Sequence, residues 1–244
     1  KQGIIAGGYT SLPDAFAAAI DIVIIATPVK TVATFVKEID TAAHRPVLVT
    51  DMGSTKAVIT AAIDRMDLRY VSFVGSHPLA GSEKQGMHAA RAGLYKGEIC
   101  FVTPTEKTAA DSLRRIVEVW HDVGALVVPM DAMKHDALLA ASSHFPHLLT
   151  FALVTNTKRS QAEALRYAGP GFRDTTRIAG GAPDVWVDIF ETNKDEVIRQ
   201  LDHMSEELQR VRKLLVEGTR EELWNYINEA RSTREEIEHH DNRH

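Results

Sequence analysis

YVSFVGSHPLAGSE, Tyr70 to Glu83, carries the strongest statement about architecture in this sequence. Tyr70 to Val74 is short, apolar and rich in strand-forming residues, and reads as a buried strand. Gly75 to Glu83 reads as a polar, glycine-containing loop that leaves it. A loop of that kind, at the end of a buried strand, is where an α/β protein builds its site. His77 is the one residue in the loop able to act as a base near neutral pH. Pro78 restricts His77 to extended backbone. Taken alone, the stretch reads by default as a turn with an incidental histidine, so the neighbouring segments must decide.

The segments before and after it repeat the pattern. Asp21 to Ala26, Val47 to Thr50, Glu98 to Thr103 and Leu126 to Val128 are further apolar, strand-like runs. Helical stretches follow at Pro28 to Ala43, Thr55 to Arg65 and Lys107 to Val123, the first with Thr27 as N-cap and Pro28 as its first residue. Strands alternating with helices imply a mostly parallel sheet with ligands at its carboxyl edge. Thr27-Pro28, Asp51 to Ser54 and Ser76 to Glu83 leave successive strands and are expected to converge there. The Asp51 to Ser54 turn opens a helix, whose free N–H groups can hold an anion or simply be capped.

From Asp131 to Thr157 the chain reads as one or two helices, buried on most sides, with Pro146 kinking or breaking them. His144 and His147 lie three apart within this stretch and need partners or a ligand. No spacing of His, Cys and carboxylates resembles a metal site. Gly169 to Gly181 is expected as a non-helical, closely approached bend carrying Arg173, Asp174 and Arg177. Two arginines there, ahead of a buried-looking Trp186, favour an anion site. After Pro183 a long helix is expected. Val197, Leu201, Met204, Leu208, Val211 and Leu215 step by four and three, a coiled-coil-like seam. Thr192 with Asp195, and Thr219 with Glu222, read as capping boxes.

Composition narrows the classes. The 244 residues are 44% hydrophobic and 25% charged with net charge −5, which fits a soluble globular protein and offers no broad basic surface for nucleic acid. No uninterrupted apolar run approaches ~18 residues, so no membrane span is expected. The single cysteine, Cys100, sits in an apolar run and reads as a small buried hydrophobe in a cytoplasmic setting. A His-bearing sheet edge with helices donating His and Arg suits removal of hydride and proton from a hydroxyl-bearing carboxylate. A phosphotransferase or a non-enzymatic binding module would share this coarse pattern.

Five motifs in order resemble the prephenate dehydrogenase family, with its arogenate-using relatives. They are IIATPV (Ile24 to Val29), TDMGSTK (Thr50 to Lys56), FVGSHPLAGSEKQG (Phe73 to Gly86), SSHFPH (Ser142 to His147) and GFRDTTRIAGGAPDVWVDIF (Gly171 to Phe190). The resemblance implies a Rossmann-like α/β dinucleotide-binding domain over residues 1–130. It implies an all-α substrate-binding and dimerisation domain over 131–244. It implies oxidative decarboxylation of prephenate to 4-hydroxyphenylpyruvate with hydride transfer to NAD, NADP being the alternative cofactor. His77 is implied as the catalytic histidine and Ser54 as its support at the ring hydroxyl. Arg177 is implied as the carboxylate anchor, His147 and His144 as pocket histidines, and Glu83 as a gating or pocket-polarity residue. Asp174 and Trp186 are implied at the pocket rim, and Thr27, Pro28 and Asp51 at the cofactor. A homodimer through the helical domain is implied too.

The chain departs from the family at its start. Gly3 to Thr10 corresponds to the part just before the fourth strand, and GGY is not the glycine-rich pyrophosphate fingerprint. The first βαβ unit is therefore expected to be absent from these residues, leaving an apolar strand edge and weakened NAD binding. Arogenate as substrate, and a truncated, catalytically silent dimeric binding protein, stand as the alternative readings.

Overall fold

The computed structural model describes residues 7–80 and 91–241, and side-chain surroundings as far as residue 238. Strands β1 (Ile22–Ile25), β2 (Val47–Asp51), β3 (Val71–Pro78), β4 (Ile99–Thr103) and β5 (Leu126–Pro129) form one sheet in sequence order. β1, β2 and β3 run parallel, β4 is antiparallel to β3, and β5 is parallel to β4. The mostly parallel sheet expected from the alternation is thus observed, with one reversal at β4.

Helices α2 (Val32–Ala42) and α3 (Ala57–Asp64) pack Val32, Val36, Ile39, Ile59 and Ile63 onto Ile25, Val47 and Val49 of the sheet. α4 (Ala110–Asp122) lays Ile116 and Trp120 against Leu48, Val74, Cys100 and Val102. Cys100 is fully buried, and desolvation pushes its thiol up to about 12, so it behaves as an apolar side chain. The Asp40 carboxylate at the end of α2 accepts from the backbone N–H groups of Arg69, Tyr70 and Val71 and so fixes the start of β3. Short α1 (Leu12–Phe16) begins at Ser11, whose hydroxyl accepts from Asp14 N.

Several local expectations are corrected. Gly75 to Pro78 is not loop: β3 continues through it, pairing His77 with Phe101 of β4. The extended backbone that Pro78 imposes on His77 is compatible with strand, and Gly75 lets β3 lie close against β4. A Cβ there would fall 2.5 Å from Thr103 Oγ1. Thr27 is not the cap of the next helix. Pro28 takes that place before a 3₁₀ turn, Val29–Thr31, while Thr27 and Thr31 bond through their hydroxyls at 2.8 Å.

Pro146 does not end the helical run, but the α-helix is interrupted by a π-turn just before it. α5 (Ala132–Leu139) passes through a π-helical turn, Ala140–His144, into α6 (Phe145–Ser160), which places Pro146 in the first turn of α6. There its missing N–H is tolerated. Residues 132–160 form one helical run whose length and hydropathy would also suit a membrane span. This run carries buried His135, Asp136 and His144, and α5 packs on α3 and β4.

Gly169 to Gly181 is not an open bend either. It holds α7 (Pro170–Thr176) and a 3₁₀ turn, Arg177–Gly180, because Gly169 and Pro170 supply the start of a helix. The long helix after Pro183 is divided at Asn193 into α8 (Pro183–Thr192) and α9 (Lys194–Glu217). The Thr192 hydroxyl turns back to donate to the Asp188 carbonyl at 2.7 Å. The second box is present. Thr219 N donates to Glu222 Oε2 at 2.7 Å and Glu222 N to Thr219 Oγ1 at 3.2 Å, opening α10 (Arg220–Asp241).

Residues up to Val197 form one compact unit, which contains the sheet and α1 to α8. Residues from Ile198 onward form a second, helical unit. In the second unit Leu201, Leu208 and Leu215 are 44%, 57% and 66% exposed, as are Trp224 and Ile227 of α10 at 61% and 58%.

Candidate active site

The strand exits converge through their contacts with the later helices. The exit of β1 is tied to α8 by ion pairs from Lys30 to Asp188 and Glu191. That of β2 reaches Thr192 through Thr55 Oγ1, at 2.9 Å. At the end of β3, His77 Nδ1 lies 2.9 Å from Nε2 of His135 on α5.

Beneath the β2 exit lies an enclosed ion pair. Asp51 and Lys56 are both fully buried, and Lys56 Nζ donates to Asp51 Oδ2. Lys56 Nζ also donates to the Ser76 carbonyl at 2.9 Å. Asp51 accepts from Gly53 N at 2.8 Å and from Ser76 N at 3.2 Å. The pair therefore clamps the turn bearing Ser54 to the strand bearing His77. Asp51, expected at the cofactor, is corrected here: it has no exposed surface and its oxygens are occupied within the protein. It supports the turn from below. Ser54 is half-buried, and Thr27 and Pro28 are exposed at the β1 exit.

A second network runs along α5. His135 Nδ1 lies 2.8 Å from Asp136 Oδ1. The same carboxylate accepts from Lys56 N at 2.8 Å and Ala57 N at 2.9 Å, at the N-terminus of α3. The negative charge thus meets free N–H groups at the positive end of a helix. Asn193 joins the network, donating to the Asp136 carbonyl at 2.8 Å and bonding His144 Nδ1 at 3.0 Å. This leaves the His144 proton on Nε2, a buried atom with no partner of full hydrogen-bond geometry among the described residues, although the Ser54 backbone lies near enough to favour the protonated ring.

The electrostatics favour the neutral form of His77, His144 and His147. Burial, reinforced by His135, Lys56 and His144, drives the His77 pKa well below the ordinary imidazole value. Burial pushes His144 down to about 4, opposed by Asp136. His147 is lowered by burial too, with Arg177 adding to the effect, while its bond to the Ser143 carbonyl works against it. That bond, 2.8 Å from Nδ1, leaves Nε2 as the acceptor of His147.

Trp186 on α8 gathers the pocket histidines. His147 stacks on its ring at 3.7 Å, and His144 and Phe151 meet it edge-on at 6.5 and 6.2 Å. Gly181 makes this possible, since a Cβ there would lie 2.3 Å from Trp186 Nε1. The indole is partly buried rather than fully so. Arg177 lies near enough to His147 to influence its charge, whereas Asp174 stands exposed on α7. Glu83 lies outside the described residues.

The sequence reading passed over His135, Asp136, Lys56 and Asn193. The available signal was an adjacent His–Asp pair inside an apolar helix, where polar groups must find partners. Together the described groups offer a neutral imidazole at a sheet edge, a neighbouring hydroxyl, and an aromatic and cationic wall. Among the described residues no group of His, Cys, Asp or Glu is arranged to hold a metal ion.

Comparison with known proteins places this geometry. Residues 6–129 match the profile of the prephenate dehydrogenase nucleotide-binding domain, and residues 131–229 that of the prephenate dehydrogenase dimerization domain. The chain is 33% identical over 217 residues to prephenate dehydrogenase of Bacillus subtilis, covering 87% of this chain and 58% of that one. It is 30% identical to cyclohexadienyl dehydrogenase of Zymomonas mobilis, covering 88% of this chain and 74% of that one. The crystal structure of A. aeolicus prephenate dehydrogenase with hydroxyphenyl propionate and NAD+ superposes with a TM-score of 0.90 at 34% identity. That superposition covers 96% of this chain and 82% of that one. With both profiles matched in order and the fold reproduced, the chain belongs to the prephenate dehydrogenase family.

Proposed function

We propose that this protein carries out oxidative decarboxylation of prephenate to 4-hydroxyphenylpyruvate, with NAD as hydride acceptor, and acts as a homodimer. The functional halves are residues 1–130 for the cofactor and 131–244 for substrate and partner. The observation that carries the reading is His77, kept neutral at the end of β3 and hydrogen-bonded to a histidine of the helical segment.

The ring carbon that loses hydride bears a hydroxyl, whose proton must leave in the same event. A neutral imidazole at His77 accepts that proton, and Ser54, on the neighbouring strand exit, supports the hydroxyl. Loss of the ring carboxylate as CO₂ is driven by aromatisation, so the protein's task is to hold and align a dianion. Arg177 anchors a carboxylate, and His147, stacked on Trp186, presents Nε2 to the substrate. His144, edge-on to the same indole, shapes the same wall, and exposed Asp174 stands at its rim; Glu83, which lies outside the described residues, keeps the role that the family resemblance implies.

The carboxyl edge of β1 and β2 fits a dinucleotide. Thr27 and Pro28 are exposed there and Ser54 is half-buried, beside the tightly folded Gly53 turn. When bound, NAD supplies the hydride acceptor.

The test is NADH formation with prephenate and NAD, with arogenate assayed alongside. Turnover of prephenate supports the reading. Turnover of arogenate alone moves the substrate to the amino analogue, and turnover of neither by folded protein removes the activity.

A further inference from the structure

We infer that His135 and Asp136 are positioning residues that hold the His77 imidazole as its Nδ1–H tautomer and leave Nε2 to take the substrate proton. The inference deepens the proposed role of His77 and rests on it.

The argument is one of donors and acceptors. The Asp136 carboxylate only accepts, so the proton between it and His135 belongs to His135 Nδ1, across 2.8 Å. A neutral His135 then has a lone pair on Nε2. His77 Nδ1, 2.9 Å away, must donate to it. The remaining nitrogen of His77, Nε2, is therefore unprotonated. The logic is that of a catalytic triad, with a histidine inserted between carboxylate and base.

His135 is held for this task. It is fully buried, and Phe101 and His77 meet its ring edge-on at 5.3 and 5.1 Å. Asp136 is fixed by three donors, His135 Nδ1, Lys56 N and Ala57 N. The last two sit just after the Ser54 turn. One carboxylate thus sets the orientation of the His77 ring and the position of the segment carrying Ser54. When His77 gains the hydroxyl proton, its Nδ1–H remains bonded to His135, and the Asp136 charge favours the imidazolium formed.

The experiment reads tautomers by nitrogen NMR on protein labelled at histidine, with His77→Asn to assign the ring. The expected result is a protonated Nδ1 and a bare Nε2 for His77 at neutral pH. His135→Gln, whose amide oxygen can replace the acceptor, should keep that tautomer and hold kcat within about threefold. His135→Leu, which removes the acceptor, should give mixed His77 tautomers and lower kcat about a hundredfold at nearly constant KM. Thermal melts establish that both variants fold. A proton on Nε2 of His77 in the unaltered protein would overturn the inference, because His135 would then be the donor. Equal kcat in the Gln and Leu variants would overturn it too. The expected tautomers without turnover of prephenate would uphold the relay and reject the substrate.

Discussion

A neutral His77 in a buried network has consequences for the dependence of rate on pH. A base must be unprotonated to act, and burial has moved the His77 pKa well below 6.5, with His135, Lys56 and His144 facing it. As pH falls, kcat/KM for prephenate should hold through pH 6.5 and fail only below it. An acid limb centred at or above 6.5 would assign that titration to another group. His77→Asn should lower kcat about a hundredfold or more with KM little changed, since in the proposed role the lost interaction acts in the transition state. Arg177 predicts the opposite split. In the proposed role Arg177→Gln removes a ground-state carboxylate anchor and should raise KM roughly tenfold or more with a smaller change in kcat. A kcat loss without a KM change would place Arg177 at the reacting carbon instead.

At the scale of elements, stability should follow the two buried networks. Lys56→Met leaves Asp51 charged, enclosed and without its cation, so unfolding free energy should fall by about 3–5 kcal/mol. The double variant Lys56→Met with Asp51→Asn removes the stranded charge and should recover much of that loss in urea denaturation. No recovery would mean that the pair is held for packing, not for charge. His144 ties stability to pH. Unfolded, it binds a proton near 6.5; folded, only near 4. Its stabilisation is therefore complete above the unfolded value and is lost as pH falls towards the folded one, with a span of roughly 3 kcal/mol. Urea midpoints measured between those limits should decline, and His144→Gln should flatten the decline. These networks also explain what the sequence concealed. Strand and helix identities followed from apolar periodicity, and the convergence of the strand exits followed from parallel topology. His77 as strand, not loop, depended on pairing with β4, a long-range contact that no local pattern encodes. The interruption expected at Pro146 is present as a π-turn just before it, a form that periodicity does not specify. His135 and Asp136 were hidden because their partners lie 58 and 80 residues away in sequence.

At the scale of the whole molecule, the question is what covers the apolar seam of α9. Leu201, Leu208 and Leu215 recur at a spacing of seven, and each is at least 44% exposed in the single chain. A helix with such a stripe buries it against another helix, and full burial of one leucine contributes roughly 1.5–3 kcal/mol. The family profile over residues 131–229 is that of a dimerization domain, so a second copy of this chain is the proposed cover. Symmetry would then bring each seam onto the same surface of its partner, and every substitution would act twice. Leu208→Asp with Leu215→Asp should therefore convert a dimer to monomer in sedimentation experiments, with helical content retained. The Lys56→Met variant, altered within the sheet unit, should remain dimeric while folded. A double-aspartate variant that still sediments as a dimer would move the interface off this seam, to the exposed leucines of α5 and α6, Leu138, Leu149 and Leu153.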